Sequence, residues 1–274
     1  MSAEPATLSR DRETPSADIG VARRVFYFFA RPTLIFPAIA FVLFLAFWQW
    51  ISGRIDPLLF PAPWRVVLAY RELISSGELW PALLTTLQTL AIGFAISAVV
   101  GLVLGVLTGR IPLLHTILTP YVEAIYATPR VVIIPLVILW YGVGDTGRLF
   151  LVFIGTFIPI MINTSIGIQN ARQDLIEVGR AFGANERELV RHAILPGAVP
   201  YIIAGMRIAI GRALIGVVIA EIFLDLTGLG GMIQTDVSYF RVDRMIAVVL
   251  IYSVLGIVLM ALTGKVEQRF SAWR

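Results

Sequence analysis

The sequence predicts an all-α polytopic membrane protein: six transmembrane helices, with a cytosolic coupling-helix loop between helices four and five. Three observations predict it. The 274 residues are 58% hydrophobic, 15% charged and have a mean hydropathy of +0.84, whereas soluble domains carry about 25% charged residues. Long apolar runs alternate with short charged stretches along the chain, and in a bilayer such runs satisfy their backbone only as helices. One polar island, residues 173–200 (QDLIEVGRAFGANERELVRHAILPGAVP), stands among the apolar runs and has the local grammar of two short helices.

Residues 1–20 mix Ser, Thr, Pro, Asp and Glu. They lack the basic start and apolar core of a signal peptide, so the reading is a polar cytosolic tail. The tail extends to residue 32, and a six-helix domain occupies 33–274. Arg23, Arg24 and Arg31 precede the first apolar run, 34–50, and basic residues there place that end in the cytosol. In 53–81, which carries Arg54, Asp56, Arg65, Arg71, Glu72 and Glu78, Pro63 opens a short amphipathic helix bearing Val66, Val67, Leu68 and Leu73. It is expected on the outer surface.

The second span is 83–108. Gly93, Ser97, Gly101, Gly105 and Gly109 recur every four residues, a stripe that lets another helix approach closely, either within the protomer or at a subunit interface. Arg110 and His115 mark a short inner loop. The third span, 118–143, contains Glu123, Pro129, Arg130 and Pro135 and is expected to kink, with Glu123 and Arg130 sharing a face two turns apart. Charges there should face protein or water. Residues 144–148 form an outer turn, and the uncharged fourth span, 149–168, holds Pro159 and Asn163.

In the polar loop, about 171–197, Asp174 is placed to cap a first helix with Glu177 three residues on, a capping-box spacing. Leu175, Val178 and Phe182 fall on one helical face, and Gly183 ends the helix in a left-handed conformation. Asn185 with Glu188 caps a second helix, whose apolar side is Leu189, Val190 and Ile194. Leu195, Pro196 and Gly197 stop it. Arg172, Arg180, Arg187 and Arg191 give the loop the basic excess of a cytosolic segment. The fifth span is 201–223, with Arg207, Arg212 and Glu221. An outer segment, 225–244, follows, then an uncharged sixth span, 245–263, and Lys265, Arg269 and Arg274 close the chain on the inner side.

Several chemistries are excluded. There is no cysteine, so disulfides and thiol catalysis are absent, and the two histidines, His115 and His192, lie far apart without a metal-binding spacing. The single lysine, Lys265, lacks the Gly-rich phosphate-loop context, so the chain is not expected to hydrolyse ATP itself. No paired acids or nucleophile–base set points to an enzyme. The net charge of +4 is almost wholly arginine and reads as membrane topology rather than nucleic-acid binding.

The loop resembles the "EAA" loop of ABC importer permeases, the membrane subunits of binding-protein-dependent uptake systems. Glu177, Gly183, Leu195 and Pro196 match that pattern in spacing; Val178 and Gly179 replace its two alanines, and Ala193 stands where isoleucine is usual. Ile134, Pro135 and Leu136 with Trp140, Tyr141 and Gly142, then Gly205, Met206 and Arg207, Ala220 and Glu221, and Gly228, Leu229 and Gly230 are similar to the sulfonate/nitrate/taurine branch. The resemblance covers roughly 55–270.

It implies a permease subunit in the bacterial inner membrane, with both termini cytosolic. This subunit forms the pathway for a small, anionic solute delivered by an extracytoplasmic solute-binding protein. It binds no cofactor of its own; ATP is used by a separate ATPase subunit, and a second permease copy completes a homodimer embedded in lipid. Glu177, Phe182, Gly183, Ala184, Leu195 and Pro196 are then the ATPase-coupling residues. Glu177 and Gly183 are equally readable as a capping partner and a helix end, and the two readings are compatible.

Glu123, Arg207, Arg212 and Glu221 are the pathway candidates. On a helix of about 100° per residue, Arg207 and Glu221 lie within about 40° of each other, while Arg212 points about 140° from Arg207. Buried charges pair, so Arg212 has two readings: Glu123 as its counter-charge, or a place on the pathway where it lowers the barrier for an anion. An ion-gradient-driven carrier is the alternative class. Such carriers show inverted repeats, and the two halves of this chain share no repeated pattern.

Overall fold

The computed structural model describes residues 32–271. The polar tail, Arg23, Arg24, Arg31 and Arg274 lie outside these residues. The chain divides into two compact units, Met1–Arg54 and Ile55–Arg274. In the first, the described part is one helix, α1 (Pro32–Ser52). Its Phe36, Phe41, Phe44 and Phe47 are exposed, Phe47 stacks on Trp50, and the Arg54 guanidinium lies 3.6 Å above the Trp50 ring.

Among the described residues the second unit is entirely helical. Its first elements are α2 (Pro63–Ser75), α3 (Leu79–Arg110), α4 (Pro112–Ala127), α5 (Arg130–Tyr141) and α6 (Asp145–Gln169). The polar loop holds α7 (Gln173–Ala181) and α8 (Glu186–Leu189), followed by a π turn (Val190–Ile194). Then come α9 (Leu195–Ala220), a second π turn (Glu221–Asp225), α10 (Gly228–Ser238) and α11 (Val242–Ser271). Among the described residues five helical runs, α1 included, are long and apolar enough to cross a membrane, and six if the bent pair α4–α5 counts as one.

The glycine stripe fixes the centre of this unit. Along α3, Gly93 meets Val152, Gly101 meets Phe157 and Ile160, Gly105 meets Met161 and Thr164, and Gly109 meets Ser165 and Ile168. Both series rise together, so α3 and α6 run parallel at backbone-to-backbone distance, and the stripe packs within the protomer. A pair of parallel helices requires the intervening chain to return, and α4 with α5 makes that return. Against α9, α6 runs antiparallel: Gly167 meets Tyr201 and Ala198, Gly205 meets Pro159 and Asn163, and Gly216 meets Val152. Helix α11 is antiparallel to α9, with Gly211 against Met260 and Gly256 against Leu214. Helix α6 is therefore sandwiched, and Leu151, Val152, Ile158 and Ile160 are core.

This close approach gives a direct prediction. A Cβ on Gly105 would stand 2.8 Å from the Met161 carbonyl and 2.5 Å from Thr164 Cβ, and backbone cannot step aside. Gly105→Val should cost upwards of about 2 kcal/mol and lower the thermal unfolding midpoint in detergent by about 5 °C or more. An unchanged midpoint would show that α3 and α6 do not pack this way.

Several sequence expectations need correction. The inner loop at 110–115 is a single residue, Ile111, because Pro112 starts α4 at once and His115 lies inside it. The kink of the third apolar run is a full break of 101° between α4 and α5, where Thr128 and Pro129 are extended. Glu123 and Arg130 consequently sit on different helices and do not share a face. The turn expected at 144–148 is shorter. Gly142 and Gly144 have positive φ, and Asp145 already begins α6, where Arg148 is buried and bonded to Asp145 and Thr227. In α2, Pro63 does occupy the first turn, but the buried face is Val66, Ala69 and Leu73, with Val67 and Leu68 exposed. Arg244 at the start of α11 ties α2, α3 and α10 together through Glu72 (3.1 Å), Glu78 (2.5 Å) and Asp236 (3.3 Å). The Arg241 hydrogen bond holds the Glu72 carboxyl below the usual carboxylate range.

Candidate functional site

The polar loop is built as two capped helices on an apolar footing. Helix α7 ends in a Schellman motif. The Gly183 N–H donates to the Arg180 carbonyl (2.9 Å) and the Ala184 N–H to the Gly179 carbonyl (2.9 Å). Gly183 has a φ of +82°, the left-handed conformation that glycine adopts without a Cβ penalty. Helix α8 opens on the expected capping box: the Glu188 N–H donates to the Asn185 side chain (3.0 Å), and the Asn185 N–H donates to the Glu188 carboxylate (2.8 Å).

Beneath the loop, Ile176, Leu189 and Ile194 join Ile168, Ala171 and Ala198 in one cluster, with Ala184 and Leu195 packed against it. Gly179, in place of the pattern's second alanine, lets Leu189 approach: a Cβ there would stand 2.6 Å from Leu189 Cδ2.

Two expectations fail here. Asp174 does not cap α7, because the helix already starts at Gln173 behind Arg172. Instead Asp174 accepts hydrogen bonds from Arg172 (3.1 and 2.5 Å), which hold its carboxyl below the usual range. Glu177 therefore has no cap to share and is exposed. Nor does Pro196 stop the second helix. The π turn Val190–Ile194, closed by the Leu195 N–H onto the Val190 carbonyl, widens the coil just ahead of the residue that has no N–H to give, and carries α8 into α9.

The six coupling candidates thus divide. Glu177, Phe182, Gly183 and Pro196 lie on the exposed side, while Ala184 and Leu195 belong to the footing. The predicted face of Leu175, Val178 and Phe182 is exposed, at 44%, 53% and 88%. Glu186 accepts from Arg110 (2.5 Å) and Arg180 (3.0 Å), anchoring the loop to the end of α3.

The four pathway candidates are not brought together. Arg207 pairs with Glu267 of α11 at 2.5 Å. Glu221 is completely buried. It accepts hydrogen bonds from the Thr86 hydroxyl (2.9 and 3.0 Å), the Tyr252 hydroxyl (2.6 Å) and the Gly230 N–H (2.9 Å). Glu123 borders a cavity of about 230 Å³ with His115, Thr119 and Ser165.

Arg212 does not meet Glu123. Its guanidinium donates to the Tyr126 hydroxyl (3.0 Å) and lies 4.8 Å from the centroid of that ring. Both line a cavity of about 290 Å³ at the α4–α5 break, with Thr128, Arg130, Gly155 and Ile215. Arg130 reaches across this cavity to donate to the carbonyls of Arg212 (2.8 Å) and Gly155 (3.1 Å), in space that a side chain at Gly155 would fill.

Arg130, Tyr126, Thr86 and Tyr252 were not singled out as site residues by the sequence. For Arg130 a signal existed, an arginine directly after Thr128 and Pro129 inside an apolar run. Tyr126, Thr86 and Tyr252 are ordinary residues of apolar helices until the fold sets them beside a charge.

Residues 97–272 match the family described as binding-protein-dependent transport system inner membrane component. The chain is 31% identical over 243 residues to a putative aliphatic sulfonates transport permease protein of Bacillus subtilis, covering 88% of this chain and 87% of that one. It is 27% identical over 276 residues to a nitrate import permease protein of Leptolyngbya laminosa, covering 98% of both. Among solved structures, the MetNI methionine ABC transporter in an inward-facing conformation matches with a TM-score of 0.57 at 20% identity. That match covers 70% of this chain and 94% of the other, a likeness of fold.

Proposed function

The chain belongs to the family of binding-protein-dependent transport system inner membrane components, and from that membership we propose that it is the permease subunit of an ABC importer. In this reading residues 33–274 form the transmembrane domain behind a cytosolic tail, with both termini cytosolic. A separate ATPase subunit consumes the ATP, a solute-binding protein delivers the solute, and two copies of the permease enclose the pathway. The solute is a small anion, in keeping with the sulfonate and nitrate in the names of two relatives.

The observation that carries the reading is the loop. A capped helical pair with buried feet leaves Leu175, Val178 and Phe182 exposed among the described residues. An apolar stripe of that kind, rimmed by Glu177 and arginines, fits a cleft on a partner protein. Coupling is assigned to Glu177, Phe182, Gly183 and Pro196 as contacts, with Ala184 and Leu195 holding them in place.

Co-expression with an ATPase subunit and native mass measurement test this. The expected complex contains two permease and two ATPase copies. A complex with one permease copy would reject the homodimer, and a chain that carries no ATPase would reject the importer reading itself.

A further inference from the structure

We propose that the cavity at the α4–α5 break is an anion-binding station inside the membrane domain, built on Arg212 and Tyr126 with Arg130 behind them; the proposal rests on the permease reading and names where its solute pauses. Depth is the first argument. Arg212 lies eight residues before Ala220, the end of α9, and Gly155 ten residues after Asp145, the start of α6. At 1.5 Å per residue the cavity sits about 12–15 Å below those helix ends, near the middle of a hydrocarbon core about 30 Å thick. A guanidinium there must face protein, water or a counter-ion.

Charge balance is the second argument. In the same helix, Arg207 has its carboxylate. Arg148 has Asp145 and Asp225, and Arg244 has Glu72, Glu78 and Asp236. No such ion pair includes Arg130 or Arg212 among the described residues. Each guanidinium carries five N–H donors. Arg130 spends its contacts on two carbonyls and Arg212 on one hydroxyl, so both have unused donors beside the same 290 Å³ space. Two cations beside one cavity, neither in an ion pair among the described residues, favour an anion there.

The third argument is preorganisation. Arg130 is clamped to α6 and α9 by its two carbonyl bonds, and the Tyr126 ring and hydroxyl hold Arg212 across the break. Apart from Thr128 and backbone, the remaining lining is apolar, with Ile125, Ile133, Ile154, Ile158, Ile215 and Ile219. A planar fork in an apolar wall favours an oxyanion bearing a short apolar tail, such as a sulfonate or carboxylate, because bidentate bonds satisfy its oxygens while the wall covers its carbons.

The chain has no cysteine, which makes the test clean. Ile215→Cys puts one thiol on the cavity wall, where Ile215 is half exposed. In the full chain in lipid nanodiscs, with each rate divided by that reagent's rate on a free thiol in solution, a sulfonate-bearing methanethiosulfonate should label it on the order of tenfold faster than a trimethylammonium-bearing one. Ethanesulfonate should slow the labelling and ethylammonium should not. Adding Arg212→Gln should bring the two rates together, while Arg212→Lys should keep part of the preference.

Equal rates for the two reagents, or a preference unchanged by Arg212→Gln, overturns the site. So does labelling that ethanesulfonate leaves untouched, a result that needs no arginine variant to fold. The permease reading fails by a different measurement: an ATPase-bearing complex that takes up no solute, or takes up only cations, rejects the transport assignment whatever the thiol reports.

Discussion

Phe182→Asp should abolish ATP-driven uptake and leave the amount of chain in the membrane unchanged. Phe182 follows α7 with 88% of its surface exposed, so replacing it removes almost no packing within the protomer, and surface substitutions of that kind stay within about 0.5 kcal/mol of neutral stability. On the partner side the expected effect is large. An aromatic seated in a cleft is worth about 2 kcal/mol or more, and a carboxylate in its place adds the cost of burying a charge. Together these weaken ATPase association by on the order of a hundredfold or more. Membrane level, co-purification of the ATPase and uptake should be measured side by side. Normal uptake in the variant would remove Phe182 from the coupling surface; lost membrane insertion would make it a folding residue. Gly183→Asp is a useful companion: the space around Gly183 is open, but its φ of +82° strains any side chain, so it perturbs the turn as well as the surface.

Glu221→Leu should produce the largest loss of folded protein of any single change considered. The carboxylate satisfies three buried donors on three helices: Thr86 of α3, Tyr252 of α11 and the Gly230 amide of α10. Leucine fills similar space and leaves all three unpaired, at about 1–3 kcal/mol each. Gly230 also closes tightly on this side chain, since a Cβ there would stand 2.6 Å from Glu221 Cβ, so a branched replacement has no room to relax. Glu221→Gln keeps one acceptor oxygen and should fall between. Thermal unfolding in detergent, with Thr86→Val and Tyr252→Phe as single-partner controls, reads this directly. A Glu221→Leu protein as stable as the parent would show that the carboxylate binds none of these groups.

Fold class and loop chemistry were legible in the sequence because both depend on local rules. Apolar run length marks the membrane segments, and Asn185 with Glu188, or Gly183 after an amphipathic stretch, are signals confined to a few residues. The glycine stripe of α3 was legible as a packing face, but its partner was not, since only the fold brings Gly105 to Thr164.

The misreadings share a cause: a local rule was outcompeted by a neighbour. Asp174 had the type and spacing of a cap, but Arg172 beside it took the carboxylate. Pro196 had the look of a stop, yet the π turn before it accommodates a residue without an N–H and the helix runs on. Arg212 was singled out and its counter-charge was not found. Glu123 lies on α4 three residues before Tyr126 and borders a different cavity, with His115, Thr119 and Ser165, so it is Tyr126 and not Glu123 that meets Arg212. Sequence distance along a helix is a safe guide to proximity only while the helix continues.

The run from Glu186 to Asp225 is helical throughout, and this has a mechanical consequence. Forty residues at 1.5 Å each make a strut about 60 Å long, with the loop cap Asn185 just before one end and Glu221 near the other. No non-helical residue interrupts it; Pro196, Pro200 and the π turns Val190–Ile194 and Glu221–Asp225 are the points where it bends if it bends. A tilt of about 5° at the loop therefore displaces the far end by about 5 Å. That is larger than the reach of any hydrogen bond Glu221 makes. A tilt carried along the run arrives at Glu221, whose donors sit on α3, α10 and α11, so these helices either move with it or lose the carboxylate.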